Sequence, residues 1–336
     1  VTTLHVVDAG AQVARDALTD LAGDPLCGGA FLDAFACSTG RRAVVVLAEG
    51  RGWRAAYPLL LVPTDGHLLA RTPDYGGPWI ERDGSDPNVP ELRSIASELR
   101  ERLDTTLARA GVASEVLLLS PWLPARDVIA TEWRCRAEKT VSVVELGGDR
   151  WSGLHTNRRR DVKRARERLA LEEQWRRFDE AAAVDFARGY DEHMERVDAE
   201  ARWRLDAAHF DALATSGAEL WLSSARNDDG GASLLFVVAG ERATYLYGTR
   251  WGDVRAASTL AHFHAQEQLG RAGVQELLLG GGVTTDPDDS LLRFKRSWGG
   301  RDEQLFLGAR VYDQRAHDAA VEAALARPLP EGVVAA

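Results

Sequence analysis

Leu269-Gly270-Arg271-Ala272-Gly273-Val274, running on into Gln275-Glu276-Leu277-Leu278-Leu279, reads as a helix end, a glycine cap and a buried strand. Leu107-Ala108-Arg109-Ala110-Gly111-Val112 repeats that junction, and the strand-like run Glu115-Val116-Leu117-Leu118-Leu119 follows it. Upstream of each junction lies a long helical segment, about 255–271 and about 90–110. Upstream of each helix lies a hairpin: 43–47 with 55–62 around Glu49-Gly50-Arg51-Gly52, and 232–238 with 243–247 around Ala239-Gly240-Glu241. The same order twice predicts an internal duplication. Each half is then an α+β lobe with a mixed, mostly antiparallel sheet flanked by helices. The expected division is 1–145 for the first lobe, 146–326 for the second and 327–336 for a C-terminal tail. Short amphipathic helices are expected near 13–21 and 31–36, and Thr72-Pro73-Asp74-Tyr75-Gly76-Gly77-Pro78 is a loop whose glycines permit close backbone approach.

At 336 residues the chain is long for one core, in keeping with two lobes. The 45% hydrophobic and 27% charged fractions are those of an ordinary globular protein. No apolar run approaches the length of a membrane span, and the first residues lack a basic-then-apolar signal. Cys27, Cys37 and Cys135 form a sparse, odd set without CxxC, which fits free thiols in a reducing cytoplasm. A net charge of -10 argues against coating nucleic acid non-specifically, without excluding a local basic patch.

Two stretches carry the chemistry. After Leu279 come Gly280-Gly281-Gly282, a loop with Pro287, and Asp289-Ser290-Leu291-Leu292-Arg293-Phe294-Lys295-Arg296-Ser297-Trp298-Gly299-Gly300. Asp288 or Asp289 caps a short helix there, which Gly299-Gly300 ends. The chain has 41 basic residues but only three lysines, Lys139, Lys163 and Lys295. Where arginine is so preferred, a lysine beside an aromatic is a candidate for chemistry that needs a compact ammonium. The second stretch, Asn157 to Leu169, has seven basic and two acidic residues. Val162, Ala165 and Leu169 share one narrow helical face, so the charges fan out over the rest. Either this is a solvated helix or it is a stripe for phosphates; its excess on an acidic chain favours the second. A further helix is expected over 190–204, largely packing around Tyr190, Met194 and Val197, with Arg202 and Trp203 next to its break.

Other chemistries lack their residues. There is no GxSxG elbow, Walker loop or GxGxxG after a strand. His262 and His264 sit two apart on a helix, which turns their rings to different faces and speaks against a metal site.

Several of these pieces resemble the Fem (FemABX) aminoacyl-tRNA-dependent transferases, which are built from two acetyltransferase-like (GNAT-like) lobes. The matching pieces are Tyr75-Gly76-Gly77-Pro78, the basic segment 159–165, Tyr190 to Arg196, Tyr245-Leu246-Tyr247-Gly248, Leu279-Gly280-Gly281 and, most specifically, Arg293 to Gly300. They span roughly residues 75–300. The resemblance implies transfer of an aminoacyl group from a tRNA 3′-end to an amine, with no cofactor beyond the aminoacyl-tRNA co-substrate. Lys295 matches the lysine that stabilises the carbonyl oxygen as it turns negative, and Phe294 the aromatic beside it that can support the tRNA end. Arg202, Trp203, Tyr247, Tyr75 and Arg250 fall where acceptor contacts are implied, and Arg158, Arg159, Arg160, Lys163, Arg164 and Arg166 would touch tRNA phosphates. The acceptor stays open between a peptidoglycan precursor and a natural-product intermediate, free or carrier-bound. A cytoplasmic monomer is expected. The long coiled-coil arm of some family members has no counterpart here.

Two readings compete. An acyl-CoA-dependent N-acyltransferase of the same fold would cradle pyrophosphate on a glycine-patterned loop at a helix start, but Trp251-Gly252-Asp253-Val254-Arg255-Ala256-Ala257-Ser258-Thr259 lacks that pattern. A non-catalytic RNA-binding protein would use the basic helix alone and leave the Phe294-Lys295 pair without a role.

Overall fold

The computed structural model describes residues 3–326 except 22, 65, 83–87, 201–202 and 255. Arg202 and the 327–336 tail, both singled out above, lie outside the described residues. The chain divides into two compact units, residues 1–138 with 305–336, and residues 139–304.

In the first unit, β1 (Thr3–Asp8), α1 (Gln12–Leu21) and α2 (Gly29–Ser38) precede the hairpin β2 (Arg42–Gly50) and β3 (Trp53–Thr64). Strands β4 (His67–Arg71) and β5 (Trp79–Arg82), helix α3 (Val89–Arg109), strand β6 (Val112–Leu119) and helix α4 (Arg126–Glu132) follow. Helix α3 starts at a capping box, with Asn88 accepting from the Glu91 backbone and Glu91 reaching back to Asn88. It ends at Gly111, whose φ of 77° suits glycine. The sheet runs β1-β2-β3-β4-β6, then takes β13 (Arg301–Val311) as its last strand, with β5 also on β3. All neighbours are antiparallel except β4 and β6, which α3 joins as a crossover.

In the second unit, β7 (Arg136–Glu145), the short α5 (Arg150–Gly153), the basic helix α6 (Thr156–Arg168) and β8 (Glu172–Arg177) come first. They lead to α7 (Glu180–Arg196), α8 (Ala207–Thr215) and the strands β9 (Glu219–Asn227), β10 (Gly230–Ala239) and β11 (Arg242–Gly252). Helix α9 (Ala256–Arg271), strand β12 (Glu276–Gly281) and helix α10 (Ser290–Arg296) complete it, and α11 (Gln314–Ala326) follows β13. The strand order β8-β9-β10-β11-β12-β7 repeats that of the first unit, with only β11 and β12 parallel, joined by α9. The α+β duplication is therefore present in the strand order and in the one parallel pair joined by a helix. The helix expected over 190–204 instead spans 180–196.

The division departs from the expected 1–145 and 146–326. The segment after residue 304 completes the first unit's sheet, because β13 pairs with β6 from Phe306↔Leu119 to Val311↔Ser114. Tyr312, just beyond β13, donates its hydroxyl to Glu115 at 2.7 Å. Glu115 is wholly buried and also accepts from Tyr57 at 2.5 Å, while Arg100 of α3 lies 2.9 Å away. A buried carboxylate met on three sides holds this segment in place, because losing any partner leaves a charge without solvation. The second unit's core is the apolar face of α9 against Ala225, Ala232, Leu234 and Phe236, closed by Trp298. Among the described residues no helix is long and apolar enough to cross a membrane.

Candidate active site at Lys295

In the second unit, β11 and β12 pair in parallel over only three positions, Arg242↔Glu276, Ala243↔Leu277 and Thr244↔Leu278. Beyond them β12 stays with β7 through a bulge between Leu278 and Gly280, where Gly280 takes a φ of 78°. The two strands therefore part, and the ends Tyr245–Gly248 and Leu279–Gly281 have no ladder between them. The equivalent parting in the first unit is sealed. There the backbone of Gly76 donates to Leu118 at 2.9 Å and accepts from Ser120 at 2.6 Å, bridging past the end of β4. A side chain at Gly77, with φ 130°, would press on Leu123 at 2.9 Å. The Tyr75-Gly76-Gly77-Pro78 motif thus closes its lobe's strands together. Tyr75 is half-buried in that seal, with its carbonyl 3.8 Å from the Cys27 thiol.

Helix α10 brings Lys295 to the parted end of β12. Asp289 caps it, accepting from the backbones of Leu291 and Leu292 at 2.9 and 3.0 Å. Those amides, with Thr284, hold its carboxyl down to about 2, so the cap is charged at any physiological pH. Two glycines then let α10 sit tightly. A Cβ at Gly299, with φ 74°, would lie 2.6 Å from the Gly153 carbonyl, and one at Gly300 would lie 2.7 Å from Val143 O. The Lys295 amine is buried and donates to the Gly281 carbonyl at 2.7 Å. An ammonium has three donors, so two remain for an incoming oxygen. Burial, reinforced by nearby Lys139 and opposed by Asp289, pulls its pKa down to about 7.

Phe294 and Arg158 join the same cluster. The Arg158 guanidinium lies 4.8 Å from the Phe294 ring centre and 5.1 Å from that of Trp298. It donates to Ser297 Oγ at 2.7 Å and to Thr259 Oγ1 at 3.3 Å. Arg158 thus ties the basic helix α6 to helix α10 and is turned inward. His262 packs edge-on to Phe294 and Tyr245. Burial, with Lys295 and Arg158 adding to it, drives its pKa down to about 3 and leaves the imidazole neutral. Thr259 and His262 are three apart on α9 and so share one face, which meets Arg158 through Thr259 and Phe294 through His262; that spacing is the sequence signal for His262 outside a metal site.

The remaining basic residues of α6 divide in two. Arg166 is committed to Glu173 and Glu267, both at 2.7 Å, and lies over Phe263. Arg160, Lys163 and Arg164 are exposed and Arg159 is half-buried. Among the described residues their hydrogen bonds and ion pairs run along the helix itself, such as Arg160 to Asn157 at 3.2 Å and Lys163 to Glu167 at 3.8 Å. Tyr247 stands in an aromatic group with Tyr190, His209 and Phe210, ring centres 5.5 to 5.8 Å away. The Tyr190 hydroxyl reaches the carbonyl of exposed Trp203 at 2.8 Å. Arg250 accepts from Arg196 through its carbonyl, and its own Nε is buried without a partner. The unit therefore gathers Lys295, Phe294 and Arg158 in one cluster, and Tyr247 with Trp203 in another.

No family model matches the sequence, and no curated protein sequence does. Solved structures do match. The crystal structure of FemX superposes with a TM-score of 0.64 at 14% identity, covering 86% of this chain and 92% of that one. L-PGS from Bacillus licheniformis gives 0.56 at 10% identity over 94% and 96%. A tandem GNAT protein from the clavulanic acid biosynthesis pathway gives 0.54 at 12% identity over 92% and 99%. At these identities the likeness is one of fold, a mixed α+β arrangement like that of the tandem GNAT protein and FemX.

The buried amine is directly measurable because the chain has three lysines. In carbon-13 spectra of lysine-labelled protein, one Cε resonance should titrate near pH 7 and vanish in Lys295→Met. Since the unfolded chain holds that proton up to the ordinary lysine value near 10.5, stability should also climb as pH rises from 7 towards 10.5, and less so in the variant. Three resonances that all titrate above pH 10 would place the amine in water.

Proposed function

We propose that the protein is an aminoacyl-tRNA-dependent aminoacyltransferase that makes an amide. The observation that carries this reading is the Lys295 amine, buried where β11 and β12 part, with one hydrogen bond made and two donors unspent. In the reaction, the amine of the acceptor attacks the ester carbonyl of the charged tRNA end. A C–N bond forms, the carbonyl oxygen becomes an oxyanion, and the C–O bond to the ribose then breaks. The nitrogen loses a proton and the departing ribose oxygen gains one. Lys295 serves the oxyanion. An amine near pKa 7 is protonated at small cost when negative charge arrives beside it, and one such donor is worth about 3 kcal/mol in a dry site. The ester is already activated, so the reaction needs neither ATP nor an enzyme nucleophile.

Polyanion contact falls to the outward residues of α6, namely Arg159, Arg160, Lys163 and Arg164, which leaves Arg158 and Arg166 to hold the helix. The fold likeness to FemX and L-PGS supports the reading, as do the residues Arg293 to Gly300. An acyl-CoA donor is the alternative on this fold, and a product assay separates the two.

Charged tRNA and acetyl-CoA are offered side by side to candidate amines, and the products are weighed by mass spectrometry with and without RNase. The expected product is an RNase-sensitive aminoacyl amide, and Lys295→Ala should lower its rate about a hundredfold. An acetylated product formed in the presence of RNase would replace this reading with the acyl-CoA one. For the basic helix, Arg160→Gln, Lys163→Gln and Arg164→Gln together should weaken tRNA binding and flatten its logarithmic salt dependence by about one or more. An unchanged slope would return those side chains to a solvated face.

A further inference from the structure

The second unit holds a cavity of about 330 Å³ between α7 and the sheet face opposite α9. Its floor is a polar row. Gln174, Ser224, Ser233 and Thr249 lie side by side across β8, β9, β10 and β11. Ser224, Ser233 and Thr249 are buried. Ser224 Oγ and Ser233 Oγ are 2.7 Å apart and Thr249 donates to the Gly189 carbonyl at 2.5 Å. One hydroxyl of the serine pair donates to the other, which leaves one O–H to donate into the cavity. Packing does not call for these hydroxyls. The other face of the same strands carries Ala225, Ala232, Leu234 and Phe236 and builds the core, and apolar side chains at 224 and 233 would bury against α7 at least as well.

Two arginines flank the row. Arg176 stands opposite Leu222, two residues before Ser224, and Arg226 stands two residues after it, so all three project from one face of the sheet. Both arginines line the cavity. Arg176 Nε is buried with no hydrogen-bond partner; Glu172 stands opposite Arg226 in the β8–β9 ladder, but among the described residues neither guanidinium makes an ion pair within 4 Å. The third arginine of the wall, Arg188, is matched by Asp185 at 2.6 Å. Among the residues lining the cavity, one further carboxylate, Glu192, stands against these two guanidinium groups. The cavity is thus net positive on a chain whose net charge is -10, and its donors outnumber its acceptors.

We propose that this cavity binds an oxyanion, the phosphoryl or carboxylate group of a small polar molecule, between Arg176 and Arg226 over the hydroxyls of Ser224 and Ser233. This site is separate from the acyl-transfer reading and stands or falls without it.

Nitrogen-15 indole spectra test it, because Trp251 lines the cavity and Trp251→Phe assigns its signal. Inorganic phosphate and succinate are titrated separately, so that the probe that responds identifies the group. The Trp251 signal should shift saturably with one or both. Arg176→Gln with Arg226→Gln should weaken the response tenfold or more, while Arg160→Gln, Lys163→Gln and Arg164→Gln should leave it intact. Ser224→Val with Ser233→Val should lose the response yet melt at the same temperature as the wild type or higher. Three results would overturn the proposal: no Trp251 shift with either probe, a shift that survives loss of both arginines, or a marked fall in the melting temperature of the valine variant. The last would show that the serine pair serves folding alone.

Discussion

A lysine amine buried against the carbonyl of Gly281 is the constraint around which the second lobe is arranged. Burying an amine is costly unless its charge is compensated, and here burial answers by lowering the pKa to about 7 rather than by supplying a carboxylate. Everything that fixes this amine is expensive in sequence terms. Asp289 must cap α10, Gly299 and Gly300 must admit the backbones of Gly153 and Val143, and Gly280 must turn β12 away from β11. A helix of seven residues would not hold such a position unaided. It is held because Arg158 clamps Ser297 and stacks on Phe294 and Trp298.

The duplication shows what one copy of the motif can do that the other cannot. Both units carry the same strand order and one parallel pair spanned by a helix. In the first, Gly76 bridges beyond the pair and seals it, and a buried Glu115 network stiffens the strand beneath. In the second, the pairing stops after Thr244↔Leu278 and an amine occupies the end of the opened strand. One fold thus yields a closed lobe and an open one through a few local choices of glycine and partner. The fold by itself does not supply a function; the side chains at the open end of the second lobe's strands do.

Much of this was legible in the sequence because it is locally encoded. The two hairpins, α3 and α9 were readable from glycine turns, caps and periodicity. The exchange of final strands was not, because nothing local in Leu305 to Val311 says whether it pairs with β6. Strands β8 and β9 are not legible locally, because Glu172–Arg177 and Glu219–Asn227 mix charges with tryptophans and serines. The basic helix is the most instructive case. Its seven cations look alike in the sequence, yet Arg158 and Arg166 each lie four residues from buried Val162 and so flank the packed face, where they find Ser297 and Glu173. The same periodicity that identified the apolar face would have separated them from Arg160, Lys163 and Arg164.

In the proposed reaction the Lys295 ammonium meets a developing oxyanion, and a pair of ligands isolates that step. A phosphonate analogue of the tetrahedral intermediate, attached to a terminal adenosine, is compared with the matching uncharged amide for binding to wild type and to Lys295→Met. The phosphonate should bind the wild type about a hundredfold more tightly than the amide, and the substitution should remove this advantage while leaving the affinity for the amide unchanged. A preference for the phosphonate that persists without the amine would contradict this role for Lys295.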